Sequence, residues 1–158
     1  MGKEETFNGM AAGISILGLY YQAAVQELGQ EKAMKLYGMV GESFGAGNAQ
    51  DWKQKFGDRT PSPKELGEAF RDMYNGFGFE ISIKTEKNKV TNIISKCPFY
   101  AGFMMAGLDH ATIHKLCLRA SNGEEKALKK AFPELDVFCE PRKSPDGFCV
   151  ESYTINRP

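Results

Sequence analysis

FEISIKTEKNKVTNIIS, residues 79–95, is where the hydrophobic pattern of the chain changes its period. Phe79, Ile81 and Ile83 alternate with polar residues, which is the two-residue repeat of a half-buried strand. The polar turn TEKNK then separates this run from KVTNIIS, which is also strand-like. Two such runs joined by a short polar turn predict a β-hairpin.

A second strand pair is predicted at the end of the chain. LDVFCEP (135–141) and FCVESYTI (148–155) are strand-like, and RKSPDG between them carries strong turn residues. Four strands in two hairpins predict one antiparallel sheet that is covered by helices on one face.

The rest of the chain carries helical signals. Helices are predicted over 10–28 and 30–44 from apolar residues at three- and four-residue spacing. The glycines of GESFGAGN (41–48) predict the end of the second helix. Ser62-Pro63-Lys64-Glu65 is a capping box that starts a third helix, to about residue 75. Further helices are predicted over 98–106, 109–120 and 123–132.

The predicted fold class is therefore α+β, with N-terminal helices followed by a four-stranded antiparallel sheet on which helices pack. A length of 158 residues fits a single domain, 1–158. Within it we expect a helical half over 1–76, and a hairpin, helices and a second hairpin over 77–158.

Composition excludes several classes of partner. Lysine plus arginine equals aspartate plus glutamate at 20 each, so no electrostatic footprint for nucleic acid or for a polybasic membrane contact is present. No secretory signal pattern is seen, and four cysteines in a chain this long do not form a disulfide scaffold. These features predict a cytoplasmic protein whose cysteines serve metal or thiol chemistry.

The N-terminal helix has an unusually uncharged sequence. No charge occurs between Glu5 and Glu27, but Asn8, Ser15 and Gln22 make the stretch a poor membrane span. We therefore expect a buried helix that also meets a second copy of the chain in a homodimer.

Soft metal-binding side chains gather in KCPFYAGFMMAGLDHATIHKLC (96–117), which holds two of the four cysteines and both histidines. If the helices on either side of Gly107 fold back on each other, Cys97 and Cys117 lie at the same level. His110, His114 and Cys117 share one face of the second helix.

The other two cysteines, Cys139 and Cys149, lie on the final strands. In a regular hairpin they point to opposite faces of the sheet, and they converge only across a wide loop or a bulge. A metal site, a reactive thiol and simple core packing of cysteines all remain open from the residues alone.

Cys97 has its own possible role because Cys97-Pro98 places the thiol at the N-cap of a helix. The helix dipole there predicts a lowered thiol pKa and a thiolate able to act as nucleophile or ligand.

CPFY, AGLD, a helix containing LC and a final strand that begins with cysteine together resemble the L-2-amino-thiazoline-4-carboxylic acid hydrolase family. YYQAAVQELGQEKAMKLY resembles the helical half of that family. The resemblance implies a relationship to 4-vinyl reductase-like domains, which bind small molecules. It also implies a zinc site on Cys117, Cys139 and Cys149, with Asp136 as an acidic ligand. Cys97 matches the cysteine of the family's Cys-Pro-Tyr-Tyr motif.

Two segments depart from the family pattern. The turn is SPDGFC where Gly-Asp followed closely by cysteine is expected, and CVE stands in place of Cys-Asp-Phe. The first departure bears on the third zinc ligand and the second bears on the substrate.

The function implied is a metal-dependent hydrolase acting on a cyclic C–N bond, which opens a thiazoline ring to give N-carbamoyl-L-cysteine. A zinc-bound water would attack, His114 would act as general base, and Cys97 is the candidate for a cysteine left free for catalysis. The fourth zinc ligand is open among Cys97, His114 and Asp136. Four thiolate ligands would close the site and make the zinc structural, and the alternative function is a non-catalytic small-molecule binding or sensing domain with structural zinc. Arg119 and Arg142 are available to bind a substrate carboxylate.

Overall fold

A computed structural model describes residues 2–156 as five helices and four strands. The helices are α1 (Lys3–Leu28), α2 (Gln30–Phe56), α3 (Pro63–Gly76), α4 (Pro98–Met105) and α5 (His110–Ala131). The strands are β1 (Glu80–Thr85), β2 (Lys89–Lys96), β3 (Leu135–Glu140) and β4 (Cys149–Ile155). The predicted α+β class and the order of helices and hairpins are confirmed.

The strands form one antiparallel sheet in the order β1-β2-β4-β3. Val90, Asn92 and Ile94 of β2 are buried on one face, as the alternating pattern of the sequence requires. On the opposite face Phe138 stays 58% exposed, so helices cover only one side of the sheet. We call the covered side of the sheet its inner face and the opposite side its outer face.

Helix α3 begins as the sequence predicts. Ser62 is its N-cap, the Ser62 hydroxyl accepts a hydrogen bond from the amide of Glu65, and the Glu65 carboxylate accepts one from the amide of Ser62. Leu66, Phe70 and Tyr74 then face the core, where they meet the inner face of the sheet.

The predicted end of the second helix at GESFGAGN is wrong, because α2 continues to Phe56. A Cβ atom on Gly41 would lie 2.2 Å from the carbonyl oxygen of Ala120, and one on Gly45 would lie 2.7 Å from Cα of Glu124. These glycines let α2 approach α5 closely, and tertiary packing outweighs their low helix propensity.

The predicted break between 109–120 and 123–132 is also wrong, since α5 is one helix from His110 to Ala131. Gly123 lies in its interior, where a Cβ atom would come within 2.7 Å of the Gly38 carbonyl oxygen. Asp109 caps the helix by accepting a hydrogen bond of 2.7 Å from the amide of Thr112.

Helix α1 begins seven residues earlier than predicted, at Lys3 rather than at residue 10. Phe7, Ala11 and Tyr21 are buried on one side of it, whereas Ile16 and Tyr20 are exposed on another. Within residues 2–156, no helix combines the length and apolar character needed to cross a membrane.

We predict that Gly41→Ala destabilises the protein by roughly 1–3 kcal/mol, because the added methyl group overpacks the contact with the Ala120 backbone. Gly47→Ala in the same helix is the matched control, since a Cβ atom there meets nothing within 4 Å. That substitution is expected to add roughly 0.5–1 kcal/mol of stability. Urea denaturation of both variants measures the difference, and equal stabilities would contradict the packing argument.

Candidate functional site

A cavity of about 170 Å³ lies between the helices and the inner face of the sheet. Its wall is largely apolar and includes the aromatic rings of Phe44, Phe79, Phe99 and Phe103. This volume is below the roughly 300–1,000 Å³ of most ligand pockets, but a mostly apolar wall with a few polar groups is typical of sites for small molecules.

All four cysteines line this cavity. Cys97 is the N-cap residue of α4, Cys117 lies on α5, Cys139 on β3, and Cys149 begins β4. Each is a free thiol, and none is fully buried. The gathering of cysteines seen along the sequence therefore has a spatial counterpart.

Cys139 and Cys149 share the inner face of the sheet, contrary to the opposite faces of a regular hairpin. Cys139 pairs with Glu151, which lies two residues from Cys149 and hence on the same side of β4. A wide connection over residues 141–148 sets this register. Such a wide loop is one of the two conditions under which the sequence allows Cys139 and Cys149 to share a face.

The described residues do not form a ready metal site. Within 2–156, no group of three or more histidine, cysteine, aspartate or glutamate side chains is arranged to hold a metal ion. Asp136 lies on the outer face of the sheet, where it pairs with Lys129. Zinc bound by Cys117, Cys139, Cys149 and Cys97 therefore stays a prediction.

The predicted low pKa of Cys97 is wrong. Burial raises the pKa of the Cys97 thiol to about 12, and this effect outweighs the opposing influence of the backbone N–H groups of Tyr100 and Phe99 in the first turn of α4. Burial likewise raises the pKa of Cys117 and of Cys139. The loss of hydration around these thiols outweighs the helix dipole, so these three thiols are neutral at physiological pH.

Neither histidine is among the residues that line the cavity. Nδ1 of His114 lies 3.1 Å from the carbonyl oxygen of Arg142, and Nδ1 of His110 lies 3.1 Å from the hydroxyl of Tyr100. The catalytic roles expected for Cys97 and His114 remain predictions.

The cavity also contains two acidic side chains that sequence reasoning missed, Glu124 of α5 and Glu151 of β4. Burial, together with the nearby Glu151 carboxyl group, raises the pKa of Glu124 to about 7. A hydrogen bond of 2.9 Å from Nδ2 of Asn48 to Oε1 of Glu124 opposes that shift. Glu124 therefore changes its charge near neutral pH.

Glu151 is held by a polar network on the inner face of the sheet. Tyr74 and Tyr153 both donate to its Oε2 atom, the latter at 3.5 Å. Asn92 of β2 lies opposite Glu151 of β4 in the sheet. The buried amide of Asn92 makes no hydrogen bond of regular geometry. It nevertheless lies close enough to Glu151 to lower the pKa of that carboxyl group. Burial still raises that pKa overall.

One signal in the sequence could have located Glu151. It lies two residues after Cys149 on a strand, so the two side chains share a face, and an acidic residue on a core-facing strand position is rare. Glu124 carries no such local signal, because Glu125 and Lys126 beside it look equally solvent-facing.

The fold and the cavity define a small α+β protein whose candidate site is lined by acidic and thiol side chains. A family model described as L-2-amino-thiazoline-4-carboxylic acid hydrolase matches residues 8–133. The chain belongs to this family. A search of curated proteins finds no match to this chain.

Among solved structures, the chain is similar to a trafficking protein particle complex subunit 3 from Naegleria fowleri, crystallised covalently bound to palmitic acid. The two share 14% sequence identity with a TM-score of 0.55, over 92% of this chain and 96% of that chain. At this identity the likeness shows the fold alone.

We predict that the free energy of unfolding falls as pH rises from about 5 to about 7.5. The folded pKa of Glu124 is about 7 and its reference value is 4.5, so between them the folded state holds more protons than the unfolded state. Ionisation of Glu124 therefore lowers the free energy of unfolding, by on the order of 2 kcal/mol once this group is fully ionised above pH 7. Glu151 contributes with the same sign.

Glu124→Gln is expected to flatten this pH dependence, since an amide does not ionise and its oxygen can still accept from Asn48. Urea denaturation at several pH values provides the measurement, with Glu125→Gln at the exposed neighbouring position as control. A slope unchanged by Glu124→Gln would show that Glu124 does not titrate near neutral pH.

Proposed function

We propose that this protein is a hydrolase that opens a 2-amino-thiazoline ring carrying a carboxylate, to give an N-carbamoyl cysteine. Membership of the family supports the reaction class. The observation that carries the proposal is the pair of acidic side chains in the cavity, of which Glu124 has a pKa of about 7.

The chemistry requires two proton transfers. Water adds its oxygen to the carbon between the ring sulfur and the ring nitrogen. Because the carbamoyl product keeps both nitrogens on that carbon, the bond that breaks is the C–S bond rather than a C–N bond. The oxygen becomes the carbonyl oxygen, one proton of water ends on the sulfur, and the other ends on the ring nitrogen.

Glu124 is suited to move these protons. A group with a pKa near the working pH is efficient both as a base and as an acid. Ionised Glu124 takes a proton from the attacking water and then returns it to the leaving sulfur. Glu151 beside it, fixed by Tyr74, attracts the positively polarised amidine-like end of the ring.

Water is the nucleophile in this proposal, since the Cys97 thiol has a pKa of about 12. Attack by Cys97 is the alternative route that the sequence predicts. We assign His114 no role in the attack by water, because it is not among the residues that line the cavity.

We predict that Glu124→Gln lowers kcat for 2-amino-thiazoline-4-carboxylate by roughly 10²–10⁴-fold, the usual contribution of a general acid–base group. Product formation is followed by chromatography and mass spectrometry, which avoids interference from protein thiols. Glu125→Gln on the same helix turn is expected to keep full activity.

Two results would overturn this assignment. Full activity of Glu124→Gln would remove Glu124 from the mechanism. Loss of activity in Cys97→Ser with retained folding would favour covalent catalysis by Cys97 over direct attack by water.

A second candidate function is that of a non-catalytic binding domain. It is favoured by the largely apolar wall and by four free thiols in one cavity. The fold neighbour that carries covalent palmitic acid supports an acyl chain as one such ligand. In that case an acyl thioester donor would transfer its acyl group to a cavity thiol and leave as a free thiol. Intact protein that carries a hydroxylamine-sensitive acyl mass, without thiazoline turnover, would favour this second function.

We also propose that the protein forms a homodimer through α1. Ile16, Leu19 and Tyr20 share one face of α1 and are 65%, 54% and 77% exposed. An exposed apolar helix face of this kind marks interaction sites, and α1 carries no charge between Glu5 and Glu27 to direct a charged partner to it.

Light scattering tests the dimer. The unmodified protein is expected to have twice the mass of the chain, and Tyr20→Glu is expected to shift it toward monomer, because a carboxylate would be buried at the interface. Phe138→Glu is the matched control, since Phe138 is 58% exposed on the outer face of the sheet. A monomer at high concentration, before any substitution, would reject the proposal.

A further inference from the structure

Tyr37 lines the cavity with a hydroxyl group that has no hydrogen-bond partner among residues 2–156. It lies on α2 and is only 7% exposed. The Tyr37 ring meets the rings of Phe103 and Tyr21 edge-on, with centre distances of 6.0 and 6.2 Å. These contacts fix the ring and leave its polar end unused.

The hydroxyl of Tyr37 is accessible rather than enclosed by the core. Among the described residues, the fully buried polar side-chain atoms without a partner belong to Tyr21, Asn92 and Arg142. The unpaired hydroxyl of Tyr37 is not one of them, so it keeps accessible surface, and the space that this buried residue lines is the cavity. Burial raises the pKa of Tyr37, so the hydroxyl keeps its proton and can donate it in a hydrogen bond.

Tyr37 and Glu124 lie at different levels of the cavity wall. Helices α2 and α5 run in the same direction, since Gly41 lies against Ala120 and Gly45 lies against Glu124. Tyr37 precedes Gly45 by eight residues, which is about 12 Å along the axis of α2. The free hydroxyl and the carboxyl group of Glu124 therefore come from positions about two helical turns apart.

The two apolar clusters of the core divide the cavity wall in the same way. Tyr37 belongs to the cluster that contains Phe103 and Leu116. Tyr74, which donates to Glu151, belongs to the other cluster, against the inner face of the sheet. The cavity is therefore polarised, with carboxyl groups toward one cluster and an unpaired phenol hydroxyl in the other.

A ligand carboxylate would find no cation in the cavity wall. Among residues 2–156, no lysine, arginine or histidine lines the cavity, so the sequence-based candidates Arg119 and Arg142 are both outside the lining. Glu124 and Glu151 would repel a carboxylate from their end. The carboxylate of the proposed substrate therefore lies away from these acids and depends on neutral donors.

The hydroxyl groups of the described lining residues belong to Tyr37, Tyr74 and Ser121. Tyr74 donates to Glu151, and the side chain of Ser121 lies close enough to Cys139 to lower the pKa of that thiol. Of these three hydroxyl groups, that of Tyr37 is the one without a partner. A hydrogen bond from it to a carboxylate would be charge-assisted, and such bonds are stronger than those between neutral groups.

We infer that the Tyr37 hydroxyl donates a hydrogen bond to the carboxylate of a small zwitterionic ligand whose cationic, amidine-like end lies at Glu124 and Glu151. This inference rests on the proposed function for the identity of the ring, and it adds the residue that selects for a carboxylate. Tyr37 is a specificity-determining residue here, not one that moves protons.

The test uses two ligand pairs whose members differ only in the carboxylate. The first pair is 2-amino-thiazoline-4-carboxylate and 2-amino-thiazoline, compared by kcat and KM. The second pair is 2-amino-imidazoline-4-carboxylate and 2-amino-imidazoline, compared by calorimetric Kd. In the second pair a nitrogen replaces the ring sulfur, so the cationic end is kept but no C–S bond can break. This pair gives a readout that does not need activity.

Full-length unmodified protein is expected to bind the carboxylate member of each pair roughly tenfold or more tightly than its partner. Tyr37→Phe removes the hydroxyl and keeps the ring. It is expected to raise KM or Kd for the carboxylate member by roughly 10–100-fold, the loss of one charged hydrogen bond, with kcat nearly unchanged. The affinity for the member without a carboxylate should not change.

Tyr21→Phe is the matched control. The hydroxyl of Tyr21 is also unpaired, but it is fully buried, and Tyr21 is not among the residues that line the cavity. The same group is thus removed from a neighbouring ring in edge-on contact with Tyr37. This variant should match the unmodified protein for all four ligands, whereas a general effect of losing a core hydroxyl would appear in both variants and would contradict a specific role of Tyr37.

The outcomes separate this inference from the proposed function. Equal affinity of the unmodified protein for both members of each pair overturns the role of Tyr37, even if the ring is opened, and so does a carboxylate preference that Tyr37→Phe retains. A preference that Tyr37→Phe abolishes in the imidazoline pair, without any opening of the thiazoline ring, supports the role of Tyr37 and rejects the hydrolase. If Tyr37→Phe does not fold, Tyr37→Met, with a flexible apolar side chain, decides: a retained carboxylate preference overturns the inference and a lost one supports it.

Discussion

The close approach of α2 and α5 is the constraint on which the site depends. Gly41 and Gly45 place the backbone of α2 against Ala120 and Glu124 with no side chain between them. At this separation Asn48 of α2 can donate to the carboxyl group of Glu124 at 2.9 Å. A wider spacing would open the apolar wall to water, and the desolvation that raises the pKa of Glu124 would be lost.

The fold could be predicted because its signals are local. The alternation in FEISIK and the capping box at Ser62 depend on neighbouring residues only, and both appear in the structure. The continuity of α2 through GESFGAGN could not be predicted in this way. Low helix propensity is visible in the sequence, but the need for glycine at Gly41 exists only when Ala120 of a distant helix lies opposite.

The site was harder to predict for a related reason. Cysteines stand out in a sequence, and all four do line one cavity. Their chemistry, however, is set by burial, which raises the pKa of Cys97 and so opposes the thiolate that its N-cap position predicts. The same desolvation acts on Glu124, but a carboxyl group starts from a much lower pKa, so the shift brings it to about 7. One environment thus keeps the Cys97 thiol protonated near neutral pH and brings the pKa of Glu124 into that range.

Two acids that share one cavity also constrain the charge of the ligand. Glu151 raises the pKa of Glu124 by repulsion, so both are ionised together only at a cost that grows as water is excluded. A neutral ligand would increase that cost by displacing water. A cationic ligand would reduce it, because its charge stabilises both carboxylates and lowers their pKa values. Binding of such a ligand near neutral pH would release a proton from Glu124 and leave this group ionised, which is the state that a base needs before water attacks.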